Sequence, residues 1–259
     1  MRPRSPLKRR AIDRLAHIDS LLEAAYRSPQ AELGNKLDPL DEAIYIVLSF
    51  QTDLARFKAT WSRLRSAFPS WEAVEGASAS TVAQALREGG LHRQKARTIR
   101  RLLAKVREVA GELSLEILRA MSDAEAERLL TQLPGLSWKG ARCVLLYSLG
   151  RDAFPVDGNT FRIMKRTGIL PRGAIYRRRA LHDALQEAVP ASRRRPLHVN
   201  LVVHGQRTCL PRNPQCPRCP LFAHCPAIGV PAAVRRRQAH SLAVPSRIQA
   251  SVSRQHELA

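Results

Sequence analysis

Four cysteines, Cys209, Cys216, Cys219 and Cys225, fall within seventeen residues in the spacing C-x6-C-x2-C-x5-C, with prolines at 211, 214, 217, 220 and 226. Each proline fixes its own φ and removes an N–H donor, so no long helix or strand can run through this stretch. Core cysteines follow a helical or strand period; these follow a loop spacing among prolines and arginines. No apolar run is long enough to span a membrane, and the basic N-terminus leads into an amphipathic helix instead of a signal-peptide core. An intracellular location with reduced thiols follows, which makes the four cysteines metal ligands rather than disulfides. Two kinds of centre compete. Structural zinc usually takes two Cys-x2-Cys knuckles across a longer spacer. Here one knuckle is flanked by longer arms, which suits four thiolates on the corners of a [4Fe–4S] cube. The fifth cysteine, Cys143, lies in the apolar run Ala141–Leu149 and reads as a core residue.

The rest of the chain carries helical periodicity and no alternating strand pattern, so the fold class is all-α. Ile12, Leu15, Ile18, Leu21, Leu22 and Ala25 recur at helical spacing between Ala11 and Tyr26. Asp38 is placed to cap the next helix, with Pro39 at its first position. Ala43 to Phe50 is apolar nearly all round and predicts a buried central helix. Further helices are expected at 54–67, 70–74, 78–87 and 92–109. The last has a basic face of Arg93, Lys95, Arg97, Arg100, Arg101 and Lys105. Ser122 and Glu125 form a capping box. Helices at about 160–167, 176–188 and 196–205 follow. Residues 1–10 and 231–259 read as disordered basic tails.

Between the capping box and those last helices lies Leu133 to Arg162. Leu133-Pro134-Gly135 turns the chain into a helix expected from Trp138 to Leu149, with Gly150 as its stop. A glycine turn at a helix start points backbone N–H groups outward and suits an anion such as a DNA phosphate. Lys139 sits in the first turn of that helix. Phe154-Pro155-Val156 is extended, and Asp157 stands where an N-cap is wanted. The bland reading is a solvated lysine and a plain cap. The chain carries 43 Lys and Arg against 22 Asp and Glu, a net +21. Residues 1–10 hold five of these charges and residues 231–259 a net four, leaving +12 on the body. Such a balance points to a polyanion, nucleic acid first.

Taken together these residues resemble the endonuclease III family, DNA glycosylases with a helix-hairpin-helix and a Gly/Pro-rich loop ending in Asp. Leu133-Pro134-Gly135 through Lys139 looks like the family's hairpin with its catalytic lysine. Phe154-Pro155-Val156-Asp157 looks like the catalytic aspartate segment at the family's spacing. The cysteine run after His204-Gly205 matches the iron–sulfur ligands. Leu48-Ser49-Phe50-Gln51-Thr52 resembles the segment whose polar residue fills the gap left by a flipped base. Gly90-Leu91 followed by Lys95-Ala96 resembles the segment that supplies an apolar wedge. The resemblance covers about residues 10–228.

The resemblance implies two helical domains. Residues 32–151 would form a six-helix barrel with the hairpin. Residues 11–31 plus 152–230, from both chain ends, would form a [4Fe–4S] domain on Cys209, Cys216, Cys219 and Cys225. Lys139 and Asp157 would be catalytic. Gln51, Leu91, Gly135, Ser137 and Arg212 would bind DNA, although Leu91 also reads as a core leucine. The implied activity is a bifunctional DNA glycosylase/AP lyase acting on oxidised pyrimidines. Its partner would be double-stranded DNA with damaged bases or abasic sites. The protein would be a cytoplasmic monomer, held to a bacterial nucleoid through DNA, with no membrane. Ser137 replaces a glycine usual in the hairpin, and Asn213 stands where a basic residue is common. Asn159 gives Asp-Gly-Asn, as in the adenine-excising branch, which lacks the lysine. A monofunctional enzyme of that type and a non-catalytic DNA binder with a structural metal are the alternatives.

Overall fold

The computed structural model describes residues 7–29 and 33–236. Among them the regular structure is helical throughout, as the periodicity predicts. Helix α1 is Arg9–Tyr26, α2 Pro39–Ser49, α3 Leu54–Ala67, α4 Trp71–Gly76, α5 Ala79–Ala85 and α6 His92–Ala110. Then come α7 Asp123–Gln132, α8 Trp138–Tyr147, α9 Gly158–Arg166, α10 Arg179–Ala188, α11 Ala191–Arg207 and a short α12, Ala232–Arg236. Polar caps start many of them. Asp38, Asp53, Ser70 and Ser78 each accept a backbone N–H three residues on. Ser122 and Glu125 close the capping box. Each such cap contributes about 1 kcal/mol. No helix among the described residues is long and apolar enough to cross a membrane.

The buried side chains form two clusters. The larger runs from Leu33 to Ala153 with three valines of α11, and it surrounds α2, whose Leu40 and Glu42 to Leu48 are buried. The smaller joins α1 to Phe154, Val156 and residues of α9, α10 and α11. Helix α11 is the shared wall. Val199, Val202 and Val203 belong to the larger cluster, Leu197 and Leu201 to the smaller. Polar contacts fasten α1 to the C-terminal part of the chain. Arg193 grips both Asp19 oxygens at 2.8 Å, and Arg14 donates to the carbonyls of Thr167 and His224.

Several expectations need correction. Arg9 and Arg10 are helical, not tail. Helix α11 begins at Ala191, so Pro196 lies inside it instead of opening it. The lost backbone bond is offset by Arg193, which donates to Asp19 of α1, and by Arg194, which donates to Val189 O and Gln186 O. Residues 232–236 are helical, and Arg235 lies over the Phe222 ring and donates to Cys225 O. Residues 1–6 and 237–259 of the expected tails lie outside the described residues. Lys95 does not join the basic face of α6; it is buried.

Candidate active site and thiolate centre

A cleft of about 680 Å³ runs beside the mouth of the hairpin. Its lining brings together Gln51, Leu91, Gly135, Ser137, Lys139 and Asp157. They come from four places in the chain: the end of α2, the start of α6, the hairpin turn into α8 and the start of α9. Arg212 is not among them; it is exposed on the loop 210–215.

The hairpin turn needs its glycine. Gly135 has φ +87°, and a Cβ there would meet Thr98 Cγ2 at 2.4 Å. Position 137 has no such need. Ser137 is extended at φ −112°, so serine replaces glycine without backbone strain. Lys139 follows in the first turn of α8, half-buried. Helix α8 ends at Tyr147, two residues short of the expected end at Leu149, and Gly150 then turns the chain at φ +66°.

Asp157 is the N-cap of α9. Its Oδ1 accepts from Thr160 N at 2.7 Å, and its Oδ2 accepts from Asn159 Nδ2 at 2.8 Å. Burial pushes this carboxyl up. A charged His198, the Thr160 N–H and Lys139 push it down by more, and it ends below the usual carboxylate range. His198 is itself driven down to about 4 by burial, so at neutral pH the Thr160 N–H and Lys139 hold the charge. Tyr147 Oη lies 2.6 Å from His198 Nδ1, and both side chains line the cleft.

Asn159 carries the connection further. Its Oδ1 accepts from Arg162 Nη2 at 2.8 Å, and Arg162 also donates to Gly205 O and Cys209 O, both at 2.9 Å. Gly205 makes room: a Cβ there would meet Asn159 Cβ at 2.5 Å.

Cys209, Cys216, Cys219 and Cys225 line one cavity together with His204, Arg166 and Leu221. The N–H groups of Leu221 and Ala227 point at Cys219 Sγ and Cys225 Sγ, at 3.4 and 3.3 Å. Arg166 Nη1 lies 3.3 Å from Cys209 Sγ. At Cys219 and Cys225 these N–H groups oppose the burial that pushes both thiols up. Among the described residues no three Cys, His, Asp or Glu side chains are arranged to hold a single metal ion. Four thiolates on one zinc, at about 2.3 Å each, would stand only about 3.8 Å apart. A cube carrying one thiolate per corner spreads them wider, and the shared cavity suits that donor set. Asn213, beside Arg212, is left-handed at φ +47°, a conformation asparagine tolerates better than a long basic residue.

Two residues at the rim are unusual. Gln51 and Leu91 have φ of 51° and 49°, and both are exposed. Leu91 is 44% exposed, which overturns the core-leucine alternative. Non-glycine residues in this region persist only where their surroundings enforce it, and they gather at functional sites. Tyr147, Tyr176, His198 and the bracing amide of Asn159 escaped the sequence reading. At Tyr147 and His198 the signal was a polar group set among apolar helical positions, which demands a partner when buried; Tyr176 and Asn159 carried no such signal.

Residues 44–188 match the HhH-GPD superfamily of base excision DNA repair proteins. The chain belongs to this family. A candidate DNA glycosylase of Arabidopsis thaliana is 32% identical over 167 residues, 64% of this chain and 56% of that protein. The DNA glycosylase/AP lyase ROS1 of Arabidopsis thaliana is 27% identical over 170 residues, 60% of this chain and 12% of that protein. Endonuclease III of Sulfolobus acidocaldarius is 29% identical over 155 residues, 59% of this chain and 65% of that protein. The chain thus spans less than two thirds of each of these relatives. In three dimensions this HhH-GPD chain has the Endonuclease III fold. It is similar to the trapped Endonuclease III–DNA covalent intermediate with TM-score 0.72 and 25% identity, covering 83% of this chain and 96% of that one. A thermostable thymine-DNA glycosylase has the same fold, with TM-score 0.69, 20% identity and coverage of 83% and 96%.

Proposed function

We propose that this HhH-GPD chain is a bifunctional DNA glycosylase/AP lyase that removes oxidised pyrimidines from duplex DNA. The observation that carries this reading is the half-buried Lys139 in one cleft with the doubly braced Asp157, a cleft that the exposed Gln51 and Leu91 also line. A base inside a duplex is out of reach, so the damaged nucleotide is extruded into the cleft. Gln51 fills the gap and Leu91 wedges the stack. Gly135 and Ser137 hold a backbone phosphate at the start of α8.

Lys139 Nζ, as an uncharged amine, attacks the sugar C1′ while the bond from C1′ to the base breaks, and the base leaves with a proton. The sugar ring opens to a Schiff base on Nζ. Loss of a C2′ proton then expels the 3′ phosphate by β-elimination. Asp157 stabilises the positive charge developing on the sugar and assists proton transfer. The Asn159 and Thr160 donors fix where that carboxylate stands. The four cysteines would hold a [4Fe–4S] cluster, whose contribution when bound is structural. It would shape the loop from which Arg212 meets a phosphate. Because phosphate contacts dominate affinity, binding should weaken steeply with salt.

Borohydride trapping on a duplex with one oxidised pyrimidine tests the chemistry. The wild-type protein should give a covalent adduct, and Lys139→Gln should give none. No adduct with wild type, or an equal adduct with the variant, overturns the proposal. Base release from adenine opposite oxidised guanine without an adduct would favour the monofunctional reading that Asp157-Gly158-Asn159 suggests.

A further inference from the structure

Lys95 lies in the first turn of α6, yet it is only 3% exposed. Its ammonium donates to Leu48 O at 2.8 Å, Thr52 Oγ1 at 2.6 Å and Gly89 O at 2.8 Å. Three N–H groups thus meet three neutral acceptors, and burial lowers the ammonium to about 8. Burying a charge without a counter-ion is costly, and an apolar side chain of this length would avoid the cost.

The three acceptors reveal what the charge does. Leu48 and Thr52 flank the segment that ends in Gln51, and Gly89 precedes Gly90 and Leu91. The Thr52 hydroxyl lies 2.7 Å from the same Gly89 carbonyl. One ammonium therefore ties together two loops separated by forty residues of chain. At the apex of each loop stands an exposed, left-handed, non-glycine residue.

We propose that Lys95 is a positioning residue that locks the Gln51 and Leu91 loops into one rigid unit, setting the separation at which the two side chains enter a duplex. The inference rests on the glycosylase reading and deepens it. Lys95 acts on extrusion of the nucleotide, not on the bond chemistry at Lys139.

The test uses the full chain and two substrates. One is a duplex with a paired oxidised pyrimidine beside 2-aminopurine, whose fluorescence rises on unstacking. The other is a single-stranded abasic oligonucleotide, which needs no extrusion. Lys95→Met should slow both the fluorescence rise and single-turnover cleavage of the duplex by roughly 10- to 100-fold, as expected for misplaced groups. Cleavage of the single strand should stay within about twofold, since that substrate bypasses the step a misplaced pair of loops would impair. Lys95→Arg, which keeps the charge but not three convergent donors, should recover part of the loss. Equal losses on both substrates, or none on either, overturn the proposal. Should Lys95→Met not fold, Thr52→Val carries the same comparison. If the wild type cuts neither substrate, the glycosylase reading falls, and the clamp is judged on the fluorescence alone.

Discussion

Around α2, 37 buried apolar residues form one continuous cluster, whereas the part assembled from α1, α9, α10 and α11 buries 14 among the described residues. At about 1.5–3 kcal/mol for each large side chain fully buried, the first cluster suffices for a stable core, and the second is small. The second compensates with geometry. Arg14, Arg162, Arg166, Arg193 and Arg194 spend their guanidiniums on backbone carbonyls and carboxylates, and four cysteines converge on one cavity. The difference teaches that one part can tolerate repacking while the other depends on a few directional bonds. The candidate catalytic pair straddles this boundary. Lys139 starts a helix of the robust part, and Asp157 caps a helix of the polar one.

The largest effect expected on that contrast comes from the thiolate centre. Cys219→Ser should lower or abolish the unfolding transition of the polar part while leaving that of the α2 part in place, because binding energy at such a centre is folding energy. Two-probe thermal melts check this. A single transition that hardly moves would erase the proposed dependence. Phe154→Ala comes next. This side chain is fully buried in the smaller cluster, and its loss should cost about 3–5 kcal/mol. In so small a core the loss should be visible as early melting of α1. Equal tolerance of Phe154→Ala and of an alanine in the α2 core would blunt the comparison.

The smallest effect concerns pH. Glu42 in α2 is fully buried, accepting from Asn35 Nδ2 and Lys36 N, and burial pushes it up to about 7. From the ordinary glutamate value to about 7, the folded chain holds a proton that the unfolded chain has lost. Stability from this group is therefore complete in mild acid and declines as pH rises through that window. Glu42→Gln should remove the decline. The difference between the two stability curves should change by up to roughly 1.4 kcal/mol per pH unit. A constant difference would place the Glu42 titration elsewhere.

Local rules carried a good deal of the fold. Ser122 with Glu125, Asp38 before Pro39 and Ser70 all act as caps where spacing alone puts them. Pro196 misled because a proline reads as a helix start only if nothing else holds the preceding turn. Arginines reaching α1 and the end of α10 hold it here. Lys95 misled in the opposite way. It shares a helix with the exposed Arg93 and Arg97, and nothing in the local pattern marks it as the one turned inward.

The sequence by itself determined the helices, most of their caps, the turn at Gly135 and the clustering of four thiols. These depend on φ preferences, hydrogen bonds over three or four residues and covalent spacing. Only the tertiary structure decided that Leu91 faces outward, that Lys95 faces two loops and that Asn159 braces Asp157. Burial and partnership are set by what packs in from distant parts of the chain, and no local window of residues contains that information.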